Sequence, residues 1–154
     1  MKVDKKWKIL LLDTKKSNPN HYICLAIKEA FESHSRTDVV VKAGYGDAIA
    51  LARENKCNLF VAFDGEELER GICARLASLC GASILWITED PYELKINKAN
   101  ADIFDLVFTN DSGSIGAYGQ KGRHLPFAAS KPMHYYDIGD DDDNESSGNY
   151  TGND

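Results

Sequence analysis

Residues 58–88, NLFVAFDGEELERGICARLASLCGASILWIT, hold two short apolar runs separated by a segment of different period. Asn58–Phe63 and Ala82–Thr88 are mostly aliphatic or aromatic, as in strands covered on both faces of a sheet. Between them Leu68, Ile72, Leu76 and Leu79 recur at helical spacing, and Gly81 stands where a helix ends in a left-handed residue. Strand, helix and strand at this length make one βαβ unit, whose right-handed crossover demands parallel strands.

The same alternation extends in both directions. Upstream, Lys8–Asp13 (KILLLD) reads as a strand. Asn18 with Pro19 then opens a helix whose stripe is Ile23, Ile27, Ala30 and Phe31 and which runs to about Ser35. Asp38–Lys42 (DVVVK) is a second strand, followed by the Gly44-Tyr45-Gly46 turn and a short helix through Ala48, Ile49 and Ala52. Downstream, Glu89-Asp90-Pro91 leads into a looser helical stretch ending near Asn100. Asp105–Thr109 (DLVFT) is a fifth strand, and Asp111 or Ser112 caps a short helix that stops at Gly122. Arg123–Phe127 is a last extended piece. The expected architecture is α/β: a doubly wound, mostly parallel sheet with helices on both faces. With 43% hydrophobic residues the chain has ample material for one core.

Charge divides the chain near residue 136. The whole carries 18 basic and 24 acidic residues, a formal −6, yet residues 137–154 hold seven of the acids and no Lys or Arg. Residues 1–136 are therefore close to neutral and read as one Rossmann-like domain. Residues 137–154 read as an acidic flexible tail or interdomain linker, lacking periodicity and apolar mass. No basic stripe is present to replace the counterions of a phosphate backbone, so nucleic acid is not an expected partner. Ile9–Leu12 is too short to span a membrane or to serve as a signal-peptide core. Cys24, Cys57, Cys73 and Cys80 form no CxxC pair and read as buried, reduced thiols of a cytoplasmic protein, with no metal site expected.

In such a sheet, ligands bind beyond the carboxyl ends of the strands, near the point where strand order reverses. The candidate residues are therefore Asp13, Asn18, Asn20 and His21 after the first strand, Gly44–Gly46 after the second, and Asp64 and Gly65 after the third. Thr88, Glu89 and Asp90 follow the fourth strand, and Asn110, Asp111 and Ser112 the fifth. Each has a plainer reading as well: Asn18 as a helix cap, His21 as a solvated or capping histidine, Asp90 as the cap of the next turn. Gly44-x-Gly46 lacks the third glycine of a dinucleotide fingerprint, and no Walker loop occurs, so no cofactor is expected. The Asp140–Asp143 run is the composition of a solvated linker rather than a metal site on a rigid turn.

Several of these residues also carry a resemblance. Trp86-x-x-Glu89-Asp90-Pro91, Phe104–Asp111 (FDLVFTND), Tyr118-x-x-x-Gly122, Leu125-Pro126-Phe127-Ala128 and Pro132-x-His134 resemble the N-terminal domain of the spore-maturation, CgeB-like glycosyltransferases of the GT-B type. The likeness covers about residues 80–136, and residues 8–80 only in the order of elements. Glu89 stands where that pattern has a second aspartate, and no glycine-rich loop follows the first strand. The resemblance implies an acceptor-side domain of a metal-independent enzyme that transfers a sugar from a nucleotide sugar to a saccharide or surface-polymer acceptor. The donor would be held by a C-terminal domain after the linker, and residues 1–154 alone would be nearly inactive. Asp90 or His21 would act as base, and Asn18, Asn20, Asp64, Glu89, Asn110 and Asp111 would line the acceptor side. Two other readings stand beside it. Asp13, Asp64, Thr88 and Lys131 follow the order of groups in a receiver-like phospho-accepting domain, with Asp64 as acceptor. A non-catalytic sugar-binding module is the third.

Overall fold

Six strands pair side by side, all parallel, in the order β2-β1-β3-β4-β5-β6 in a computed structural model that describes residues 6–13, 20–65 and 68–127. The strands are β1 (Trp7–Leu12), β2 (Thr37–Ala43), β3 (Leu59–Phe63), β4 (Ser83–Ile87), β5 (Leu106–Thr109) and β6 (Gly122–His124). Between them lie α1 (Asn20–Ser33), α2 (Ala48–Glu54), α3 (Arg70–Cys80) and α4 (Leu94–Asn100). The doubly wound, Rossmann-like α/β reading holds.

The central strands are apolar on both faces because helices cover both. Alternate residues of β1 and β3, Ile9, Leu11, Val61 and Phe63, meet Cys24, Ile27 and Phe31 of α1. The other set, Leu10, Leu12, Phe60 and Ala62, joins Leu85, Ile87 and Val107 under Ala48 and Ala52 of α2 and Cys73, Leu76 and Cys80 of α3. Phe60 and Phe104 stack in that second core with ring centroids 5.7 Å apart. Each such side chain withdrawn from water contributes on the order of 1.5–3 kcal/mol.

Right-handed crossovers explain this division of helices. The chain moves one way from β1 to β2 and the opposite way from β2 through β6, so α1 lies on one face and the later helices on the other. The reversal falls between β1 and β3, and the crevice of a doubly wound sheet opens there, above their carboxyl ends.

Two elements differ from the sequence reading. The first helix ends at Ser33 rather than Ser35, while Asn18 and Pro19, like the 137–154 tail, lie outside the described residues. The segment Ser112–Lys121 is 3₁₀ rather than α-helical, interrupted at Gly119, whose φ is +59°. Gly113, Gly116 and Gly119 within ten residues make an α-helix costly there, and Gly119 takes a conformation that strains any other residue. Gly81 closes α3 as expected, with φ +77° and its N–H donating to the Ala77 carbonyl at 3.1 Å.

Candidate functional site

Asp13 follows directly on β1, and its backbone N–H donates to the Ala43 carbonyl at 2.8 Å, which fixes its side chain at the β1/β2 edge of the crevice. Two groups converge on that carboxylate. Lys42, near the end of β2, donates from Nζ to Oδ2 at 2.6 Å, and His21, in the first turn of α1, places Nδ1 3.0 Å from Oδ1. A carboxylate only accepts, so Nδ1 carries the hydrogen, which in the neutral form of the ring leaves the lone pair on Nε2. The Asp13, His21 and Lys42 side chains are 18%, 12% and 24% exposed, enough contact with solvent for a ligand to reach them. Beneath them Cys24 is fully buried, and burial together with the Asp13 charge pushes its thiol up to about 12, so it stays protonated.

The second group spans the ends of β3 and β4. Asp64 has φ +46°, an unusual left-handed conformation for a non-glycine residue, and its N–H donates to the Trp86 carbonyl at 2.9 Å. Both of its carboxylate oxygens accept hydrogen bonds. Oδ1 accepts the Thr88 backbone N–H at 2.6 Å, and Oδ2 accepts the Thr88 hydroxyl at 2.8 Å and the Asn20 side-chain amide. The Asn20 amide also reaches the Thr88 hydroxyl oxygen at 3.0 Å. Burial raises the Asp64 carboxyl above its ordinary value, against the opposing pull of the Thr88 bonds, and the nearby charge of Glu89 adds to the rise. Glu89 itself is exposed, and its carbonyl accepts the Glu93 N–H at 3.0 Å.

Asp90 belongs to a third group, sealed inside the domain. It is 2% exposed and precedes Pro91 through a cis peptide bond. Its Oδ1 accepts from Asn97 Nδ2 at 3.0 Å, and its Oδ2 accepts from the Thr109 hydroxyl and the Tyr118 phenol, each at 2.7 Å. Asn97 continues the chain of bonds: its Oδ1 accepts the Gly65 N–H at 2.7 Å, while the Asn100 amide donates to the Gly65 carbonyl at 2.8 Å. The Tyr118 phenol is held above its ordinary range by burial and by donating to Asp90. A carboxylate with both oxygens occupied by neutral donors and no solvent face is a structural anchor joining β4, β5, α4 and the 3₁₀ segment.

After β5, Asp111 caps the 3₁₀ segment, accepting from the Gly113 N–H at 3.2 Å and the Ser114 hydroxyl at 2.6 Å, bonds that hold its carboxyl below the usual range. Asn110 has its side-chain carbonyl oxygen buried without a hydrogen-bond partner among the described residues, while its backbone carbonyl lies 3.2 Å from His124 Nε2. Thus the structure brings His21, Asn20 and Asp64 to the crevice, leaves Glu89 on its exposed rim, and gives Asp90 and Asp111 work in holding loops. Asn18 lies outside the described residues. Lys42, Asn97 and Asn100 were not singled out from sequence, and Tyr118 entered only through the resemblance. Of the first three, only Lys42 left a readable trace, as the charged residue after the Val39–Val41 run.

The receiver-like reading meets an obstacle here. A phosphoryl acceptor must be reached by its donor, and Asp64 is 7% exposed with both oxygens accepting hydrogen bonds inside the protein. Among the described residues no group of three or more His, Cys, Asp or Glu side chains is placed to hold a metal ion, and no helix is long and apolar enough to cross a membrane.

Fold and site together define a Rossmann-like α/β domain with a His–Asp pair at its topological switch point. Compared with known proteins, the chain matches no protein-family model, and no curated protein shows significant similarity to it.

Proposed function

We propose that this chain is the acceptor-side domain of a glycosyltransferase, in which His21, oriented by Asp13, accepts the proton of an attacking sugar hydroxyl. The supporting observation is the 3.0 Å contact between His21 Nδ1 and Asp13 Oδ1 at the mouth of the switch-point crevice. It supplies an oriented base whose Nε2 has no hydrogen-bond partner among the described residues and can take a substrate proton. Between the two base candidates the geometry favours His21, because Asp90 is enclosed and fully bonded. Lys42 pairs with the same carboxylate and offsets its charge near the bound acceptor. The donor would be a nucleotide sugar held by a second, C-terminal domain, and the acceptor a saccharide or surface polymer. No metal or cofactor is needed for a proton-transfer role of this kind.

The test is a titration of isotope-labelled protein with a panel of neutral, amino and acidic oligosaccharides, read by amide chemical shifts. Perturbations should centre on Asn20, His21, Lys42 and Thr88 for at least one sugar class. In a form that includes the donor-binding half, His21→Gln should lower turnover by about 10²–10⁴-fold, the usual worth of a positioned base. A panel without effect at the crevice, or an unchanged turnover in His21→Gln, would overturn the proposal.

A further inference from the structure

We infer that Asp64 is a positioning residue: through Asn20 it fixes the first turn of α1 and thereby aims the His21 ring at the crevice. The inference rests on the reading of His21 as the base. It begins from the fact that Asp64, Asn20 and Thr88 come from three elements, β3, α1 and β4, yet share one set of buried hydrogen bonds. All three residues are at most 7% exposed. Asn20 is the first residue of α1 and His21 the second, so whatever holds Asn20 sets where the His21 side chain leaves the helix. Helix starts fray unless tied down, because their first N–H groups have no intrahelical partner. Here the tie is a side chain reaching across to the next strands.

The chemistry of the pair suits that work. Ionised Asp64 offers only acceptors, and three donors meet it: the Thr88 N–H, the Thr88 hydroxyl and the Asn20 amide. An amide at position 64 would keep an oxygen for the Thr88 N–H but would turn its own hydrogens toward the Asn20 amide. The link to α1 would then be replaced by a clash of donors. The left-handed backbone at Asp64 belongs to the same arrangement, since it turns the carboxylate back toward Thr88 while its N–H stays on the Trp86 carbonyl. A non-glycine residue in that conformation persists only where its surroundings hold it.

The readout is the tautomer of His21, followed through its ring nitrogens by NMR on the whole chain. Wild type should show the Nδ1–H form set by Asp13. Asp64→Asn, and separately Asn20→Ala, which leaves the Asp64–Thr88 bonds intact, should lose that fixed signal and give the mixed tautomers of an unconstrained imidazole. The amide spectrum of β3, β4 and β5 should stay unchanged in Asn20→Ala. The exchanged pair Asp64→Asn/Asn20→Asp places donor and acceptor in reverse and should restore the wild-type ring signal. Retention of the fixed tautomer in folded Asn20→Ala, or failure of the exchanged pair to restore it, would overturn the positioning role. If the ring responds as stated but His21→Gln leaves sugar transfer unchanged, positioning stands and the glycosyltransferase reading falls.

Discussion

Replacing Gly65 by alanine strikes the junction between the crevice and the sealed Asp90 cluster. A Cβ at Gly65 would lie 2.6 Å from Asn97 Oδ1, 2.9 Å from Asn97 Cα and 3.2 Å from Asn97 N. Two of those atoms are backbone, so turning the Asn97 side chain aside relieves only part of the overlap. Turning it also breaks the 2.7 Å bond from the Gly65 N–H and the 3.0 Å bond to Asp90, in the core of the domain. Overpacking of this kind costs about 1–3 kcal/mol. A buried polar group left without a partner costs about 1–3 kcal/mol more. The stiffer unfolded chain returns only about 0.4–1 kcal/mol. The net loss is therefore about 1–5.5 kcal/mol, a fall in Tm on the order of 10 °C for a domain of this size. Urea unfolding followed by far-UV circular dichroism measures it, with the slope m unchanged from wild type. Gly44→Ala is the control, since nothing lies within 4 Å of its Cβ and it should match or exceed wild-type stability. If Gly65→Ala came within about 0.5 kcal/mol of wild type, the scatter of an ordinary surface change, the packing of Asn97 against Gly65 would be wrong.

The buried phenols bear on alkaline stability. Burial raises both Tyr45 and Tyr118 above the ordinary phenol value of 10.0, so these two should keep their protons at pH ~11 in the folded state, by ultraviolet absorbance. Because the folded value is the higher one, their contribution is full below pH 10.0 and is lost as pH rises through the folded values, and Tyr118→Phe should reduce that alkaline loss. Asp64 obeys the same sign at acid pH. Its folded value is raised by burial, so its contribution is full below 3.8 and falls as pH rises through the folded value, and Asp64→Asn should flatten the stability profile just above 3.8. The four free cysteines are buried, with burial pushing Cys24 up to about 12 and Cys73 and Cys80 to about 11. An aromatic disulfide reagent should therefore find almost no thiol in the native protein and four in urea, and rapid native labelling of any of the four would contradict their placement.

The parts of this fold legible in the sequence are those enforced by local pattern. β3 and β4 declare themselves because a strand buried on both faces has no polar alternation to hide in, and α3 because its stripe is followed by Gly81. Strand order is a different kind of information. Nothing in KILLLD or DVVVK states that β1 sits between β2 and β3, since that follows from which side each crossover takes, and the position of the crevice depends on it. The Ser112–Lys121 segment reads as helical from its cap, yet its three glycines tip it to 3₁₀.

Three aspartates, Asp13, Asp64 and Asp90, follow three strands of one sheet, and position alone made each of the three a site candidate. What separates them is the number and source of their donors. Asp64 draws its donors from residues 24 and 44 positions away, and Asp90 from residues 7, 19 and 28 positions away, separations that no motif encodes. Both are thereby engaged in joining elements, and a buried carboxylate that accepts three internal hydrogen bonds has little left with which to take a proton or a ligand. Asp13 is bonded by a lysine and a histidine, each a group that changes state or partner in contact with solvent, and it keeps a partly open face. On the proposed reading, chemistry at this switch point belongs to Asp13 and His21, with Asp64 setting the helix on which His21 is carried.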